Sequence, residues 1–439
     1  MEQYGLALDS EGNVWSFGKN NFYQLGNETD EKRTTPIKIS GLSNITDIAC
    51  GSYSSFAINK KGEVYSFGLN ANGEGGVGSY TNKIPVTKAK YVQDAIDIKA
   101  GKNHTIILKS TGEVYATGSN LYGELGVNKD TTRSNLFTKV SGLDSVVSID
   151  AGKSNNTAIT KDGEIYVWGE NNYSQLGITN KTKITEPTKI SGLSDIRYIS
   201  GLKGNKIAID KNNQVYVNGL NSRGELGNGS NSNVTTFEKL STITNVMQVS
   251  AGDSYTVMLK PDGTVWACGD YTNNNEDIIS KTKSTEPIQV GNGKTTIGQT
   301  EITVKVNETK KLIENASLEF NLIKEEDDYF ENLNYNCLNT DIVETSEDGN
   351  VTGKRVGRTR VTATSTEDGK SYSVLVNVVD ENSKFAPKVT SGEDFVATLK
   401  SDGSVYTFGY NADGRLGIGN KITQTIPQKT NVLSTYKDV

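Results

Sequence analysis

Histidine is nearly absent: His104 is the only one in a chain of 439 residues. A His-rich metal site is therefore excluded, and a Ser/His/Asp triad could draw on this residue alone. Cysteine is scarce too. Cys50, Cys268 and Cys337 are odd in number, far apart and without a CxxC pair, so no disulfide framework follows. Each reads as a buried free thiol. Proline numbers only 7. The 46 basic and 52 acidic residues contain no Lys/Arg run, which argues against a protein that tracks a phosphate backbone and against nucleic acid as partner. With a mean hydropathy of -0.49 and no long apolar run, no segment reads as a membrane span. Met1-Glu2-Gln3-Tyr4 has neither the basic nor the apolar region of a signal peptide. There is no P-loop, and no GxGxxG between a strand and a helix. Nothing here argues for catalysis, a metal or a cofactor.

What is abundant is glycine. The 45 glycines are about 10% of the chain, against a usual ~7%, and with so little proline they point to many tight turns. They recur at a fixed interval. Glu11-Gly12-Asn13-Val14-Trp15-Ser16-Phe17-Gly18 returns as Gly62 to Gly68, Gly112 to Gly118, Gly163 to Gly169, Asn213 to Gly219, Gly263 to Gly269 and Gly403 to Gly409. The closing glycines at 18, 68, 118, 169, 219, 269 and 409 make seven copies, stepped by 50 or 51 residues except the last, which is 140. Asn213 replaces glycine at the turn, and asparagine is the other residue that tolerates positive φ.

Each copy reads as β-structure. In the second, Ile48 to Gly51 is a short apolar strand, Ser55 to Ile58 a second and Val64 to Phe67 a third, with a fourth beginning at Pro85. Seven four-stranded units repeating radially make a β-propeller. The tail Leu433 to Val439 lines up with Leu42 to Ile48, and Leu6-Ala7-Leu8 with Phe56-Ala57-Ile58. The carboxy terminus should therefore supply the first strand of the blade that holds the amino terminus, leaving no free sheet edge. The third-strand aromatics Trp15, Tyr65, Tyr115, Tyr166, Tyr216, Trp266 and Tyr406 read as core.

Ala100-Gly101-Lys102-Asn103-His104-Thr105, then Gly112-Glu113-Val114-Tyr115, then Gly118 to Gly126 resembles the regulator of chromosome condensation repeat. Its Asn-x-x-Gly-Gln-Leu-Gly signature is approximated from Asn21, Asn172, Asn221 and Asn411. The second copy drifts from it at Asn72-Gly73-Glu74-Gly75-Gly76, and the sixth loses it after Gly269. This resemblance covers roughly 350 residues. It implies the fold and leaves the function open.

The long last step holds an insertion. Ile302 to Val306 and Tyr372 to Val378 alternate as strands, and between them lie Asp348-Gly349-Asn350-Val351-Thr352-Gly353 and Gly357-Arg358-Thr359-Arg360-Val361-Thr362-Ala363. This resembles the bacterial immunoglobulin-like domain of the second group, with Arg358 beside the expected Gly-Thr, and implies a small β-sandwich. The predicted organisation is all-β. Residues 1–291 are propeller, 292–383 an inserted immunoglobulin-like sandwich, and 384–439 the seventh blade with the closing strand. In a meandering blade the second-to-third hairpins share a face with the blade-to-blade connections. The insertion should project there, leaving the opposite mouth open.

That mouth should carry the variable loop residues Phe22, Tyr23, Tyr53, Leu121, Tyr122, Tyr173, Arg223, Tyr255, Tyr271, Phe395 and Tyr410. Tyr and Arg are favoured interface anchors. The alternative role for any one aromatic is packing on the neighbouring blade. His104 occupies the position of Tyr4, Ser54, Asn155, Tyr255 and Phe395 in other copies, so it reads as packing rather than catalytic. The Asp-Gly turns at 162, 262 and 402 are explained by hairpin chemistry without calcium, and the Asn-x-Ser/Thr triplets are what an Asn- and Thr-rich chain produces by chance. The modules together imply a non-enzymatic bacterial protein, secreted or on the cell surface, acting as a monomer and binding a protein or glycan. Resemblance to a β-lactamase inhibitory propeller implies an enzyme inhibitor as the alternative. Guanine-nucleotide exchange ranks below that, since no basic tail is present.

Overall fold

Short runs bounded by glycine and asparagine can close only into hairpins, and the chain folds accordingly. The structure, a computed structural model, describes all residues except 1–3, 10–11, 128–130, 261–263, 271–282, 290–301, 312–332, 338–339, 341, 355–356, 366–370, 380–387, 393–394, 400–403, 431–435 and 439. Among the described residues every regular element is a strand.

Seven sheets share one plan, four antiparallel strands pairing in chain order. In the second these are Ile45–Cys50, Ser54–Asn59, Val64–Leu69 and Lys83–Lys88. The fourth strand starts two residues before the expected Pro85. Lys83 already pairs with Leu69, just past a register shift opposite Ser66 to Gly68. The first sheet is joined from both termini: Tyr436–Asp438 lies beside Tyr4–Asp9, with Leu8 opposite Asp438 and Asp9 opposite Tyr436.

The closing glycines have a geometric reason. All seven have φ between 93° and 115° and sit where the third and fourth strands shift register, a β-bulge. At Gly118 a Cβ would come within 2.4 Å of the Asn103 carbonyl oxygen, so no other residue fits. Asn213 has φ 61°, as its turn position requires.

Second strands are buried throughout, because their two faces meet the neighbouring sheets. Ser54–Asn59 is buried except for Asn59, whereas Lys83–Lys88 at the rim is half-buried or exposed except for Ile84. Ile106, Leu108, Val114, Leu125 and Trp168 belong to one core shared by successive sheets. Ala7 and Phe17 of the first sheet pack with Leu399 and Val405 of the last. The third-strand aromatics depart from expectation. Trp15, Tyr65, Tyr115, Tyr166, Tyr216, Trp266 and Tyr406 are half-buried. Tyr65, Tyr166 and Tyr216 each turn a hydroxyl to a carboxylate, at Glu63, Glu164 and Asp210. The fully enclosed position lies two residues on, at Phe17, Phe67 and Trp168. Of the three thiols only Cys268 is buried, and burial pushes it up to about 12; Cys50 and Cys337 are half-buried.

Between Lys283–Gln289 and Lys388–Ser391 lie two further sheets. One orders Ile302–Lys305, Ser371–Val379, Gly357–Ser365 and Leu333–Cys337, its first pair parallel. The other orders Thr309–Lys311, Asn350–Gly353 and Val343–Thr345. They share a core of Val304, Ile342, Val343, Val351, Val361, Val376 and Val378. Strand alternation brings the chain into and out of this segment at the end bearing the second-to-third hairpins.

Candidate functional site

The opposite end of the seven sheets carries the first-to-second turns and the long third-to-fourth loops. Among the described residues six of the long loops are each built on one asparagine, buried except at Asn120. The side chain of Asn120 accepts from Leu125 N–H at 2.9 Å and donates to the Thr131 carbonyl at 2.8 Å. Asn20, Asn70, Asn171, Asn221 and Asn411 repeat this frame. In two copies the frame residue is Asn20 or Asn171, one position before the Asn21 and Asn172 from which the motif was counted. Adjacent asparagines hid the register, which a fixed spacing of five to the leucine would have revealed.

A second side chain fills the frame. Gln24 and Gln175 accept from the N–H of Phe22 and Tyr173, and Glu74, Glu124 and Glu225 do the same for Asn72, Tyr122 and Arg223. Burial costs a carboxylate its hydration, so Glu74 is pushed up to about 7 and Glu124 and Glu225 are also raised, despite the lowering by those backbone hydrogen bonds. In the last copy Arg415 takes the position and donates to Asp413 at 3.1 Å.

The predicted mouth residues divide. Leu121, Tyr122 and Tyr173 stand open, with relative exposures of 62%, 39% and 38%. Phe22 and Tyr53 pair across neighbouring sheets with ring centroids 5.1 Å apart. Tyr23 lies under the Lys83 ammonium at 4.8 Å, and Tyr410 under the Arg415 guanidinium at 4.8 Å. Arg223 reaches Asp270 at 3.2 Å. Tyr255 and Phe395 do not belong to the open surface: both are buried. The Tyr255 hydroxyl donates to the Gly392 and Phe395 carbonyls of the next sheet at 2.9 and 3.0 Å. Tyr4 makes the same staple to Gly51 and Ser54. Position alone could not separate them, because the second strand begins at the level where neighbouring sheets touch. Tyr271 lies outside the described residues.

His104 stands at the staple position as well. It is buried, its Nε2 donates to Asn156 Oδ1 at 2.8 Å, and burial lowers it to about 4, so it is neutral at physiological pH. A Cβ on Gly101 would strike its ring. Behind the mouth, the first strands enclose a central cavity of about 280 Å³ with polar groups including Asp47, Lys99, Asp150, Ser200 and Ser250. Among the described residues no three His, Cys, Asp or Glu side chains are grouped to hold a metal. What the sequence reading missed at this end is Lys102, Lys153 and Lys203. They occupy successive first-to-second turns, each two residues before the start of its second strand at His104, Asn155 or Asn205, and aligning the copies on those strand starts would have found them.

The RCC1-like domain matches residues 2–202, and the regulator of chromosome condensation (RCC1) repeat matches 212–259 and 402–439. The chain is an RCC1-like repeat β-propeller. No curated protein matches it. Among solved structures, human WBSCR16 superposes with a TM-score of 0.65 at 17% identity, covering 96% of this chain and 94% of that one. Prp20p from Saccharomyces cerevisiae gives a TM-score of 0.63 at 17% identity, over 97% of this propeller chain and 88% of its own. At such identity the likeness is one of fold.

Proposed function

We propose that this propeller is a non-enzymatic bacterial interaction protein, secreted or on the cell surface, whose open mouth binds a partner. In this reading the seven meander sheets are seven blades of one ring, formed by residues 1–291 and 384–439, and residues 292–383 are an immunoglobulin-like guest that acts as spacer or second contact. The observation that carries it is the exposure of Leu121, Tyr122 and Tyr173 on loops whose backbones are pinned by the Asn120 and Asn171 side chains. Exposed aromatics on rigid turns lose little entropy on docking, which suits an anchor. A protein partner is favoured over a glycan by the neighbours. Yeast Prp20p is described with binding properties to Gsp1p and histones, and yeast RCC1 (Prp20) was solved bound to Kap60.

Capture from surface and culture-fluid fractions of the native host tests the mouth. The full chain should retain a partner that the Tyr23→Ala/Tyr122→Ala/Tyr173→Ala chain loses, while a chain lacking residues 292–383 keeps it. Equal capture by the triple variant would move the site elsewhere.

A further inference from the structure

Three successive first-to-second turns each present a lysine, and the turns are laced together. Lys102 N–H donates to the Lys153 carbonyl at 2.9 Å, and Lys153 N–H donates to the Leu202 carbonyl. This lacing sets Lys102, Lys153 and Lys203 on one arc at the mouth end, where Gly201 and Leu202 line the central cavity. The three are half-buried. Lys203 meets Asp253 at 3.4 Å, whereas no carboxylate among the described residues lies within ion-pair distance of Lys102 or Lys153. Burial, joined by repulsion from Lys203 and Lys102, holds the Lys153 ammonium below the usual lysine range, against the pull of Asp253 and Glu170.

A lysine kept for structure is treated differently in this fold. Lys206, fully buried one strand away, is bonded to Asp150 at 3.0 Å. The arc instead gathers three like charges with a single ion-pair partner among the described residues, Asp253 at Lys203, in a chain of net charge -6. Apolar surface adjoins it. Tyr173 lies so close over Gly204, next to Lys203, that a Cβ there would come within 2.9 Å of its ring, and Leu121 and Tyr122 stand on the preceding blade.

We infer that this arc is the docking site for an acidic segment of a partner protein. Carboxylates of that segment meet Lys102 and Lys153, and an apolar side chain settles on Leu121, Tyr122 and Tyr173. Cations spread over three blades match a run of carboxylates better than one compact anion. Carboxylates that dock there attract each ammonium and offset the repulsion among the lysines of the free protein, so the arc favours this partner over neutral ones. The inference rests on the mouth being the binding face.

The test uses the full chain and a fluorescein-labelled peptide, Glu-Glu-Glu-Leu-Phe-Glu-Glu-Glu, followed by anisotropy at low and high salt. Changing Lys102, Lys153 and Lys203 together to Gln should weaken binding by about tenfold or more and remove most of its salt dependence. Changing Leu121 to Ser with Tyr122 and Tyr173 to Ala should weaken it with the salt dependence intact. Thermal melting of both variants verifies that they fold. Absence of peptide binding by the parent chain overturns the inference, as does equal competition by inorganic phosphate or by a single-stranded oligonucleotide. If the lysine variant binds the peptide as before and the aromatic variant does not, the arc is wrong and the mouth stands. If neither variant changes peptide binding, both fall.

Discussion

The second and fourth blades have the same backbone and differ in what they place on it. Both hang the long loop on an asparagine, Asn70 or Asn171, whose Oδ1 receives the N–H five residues on. The fourth fills that frame with Gln175 and the second with Glu74, a group that must stay protonated to be comfortable there. Their first-to-second turns differ as well, with Ser52 buried in one and Lys153 half-exposed in the other. The repeat thus separates a frame that is held constant from fillings that vary at an energetic cost. A filling that costs stability is a place to look for function.

The frame should give the largest effect. Asn171→Ala strands the Leu176 N–H and the Ile178 and Lys181 carbonyls, all bonded at 2.9 Å or less. Leaving such groups unpaired should cost about 3 kcal/mol in urea unfolding. Asn172→Ala removes only an exposed bond to Glu170 and should change stability by less than about 0.5 kcal/mol. Equal losses would return the motif to the register that begins at Asn172.

The filling comes next. The Glu74 carboxyl releases its proton near pH 4.5 when unfolded and near 7 when folded. Between those values the folded chain holds more protons, so the stabilisation, complete below 4.5, is lost as pH rises through 7. Glu74→Gln, which copies Gln24 and Gln175, should therefore gain on the order of 2 kcal/mol at pH 8 and almost nothing near pH 4. Placing glutamate at Gln175 should transfer the pH dependence to the fourth blade. Parallel pH profiles for parent and variant would show that Glu74 is solvated and ionised.

The frame was legible because it is backbone chemistry written in residue type. Glycine at 68, 118 and 169 marks a bulge that only glycine tolerates, and the match of Leu433 to Val439 with Leu42 to Ile48 anticipated the pairing of Asp438 with Leu8. The site was legible only in part, because burial of a loop residue depends on the neighbouring blade. Tyr173 and Tyr255 look alike in sequence. One crosses a turn into solvent, while the other passes beneath the next blade's Gly392 carbonyl. The lysine arc was hidden for a related reason, since residues about fifty apart become neighbours only when the turns interlock.

Replacing the turn lysine should give the smallest effect, a gain in stability as at Glu74. Lys153→Ser makes the fourth blade copy Ser52 of the second and removes a half-buried ammonium crowded by Lys102 and Lys203. Tm should rise by about 1 °C, the scale of a modest surface change in a chain of this size. The sign follows from linkage. Folding lowers the lysine's proton affinity, so the unfolded chain binds more protons in the alkaline range and the parent's stability recovers as the ammonium discharges. The variant's advantage should therefore be greatest at neutral pH and low salt, shrinking at alkaline pH and, through screening, at high salt. A fall in Tm would mean that Lys153 is held by contacts within the propeller. A rise in Tm accompanied by weaker binding of the acidic peptide would show that the fourth blade gives up stability to keep a charge for its partner.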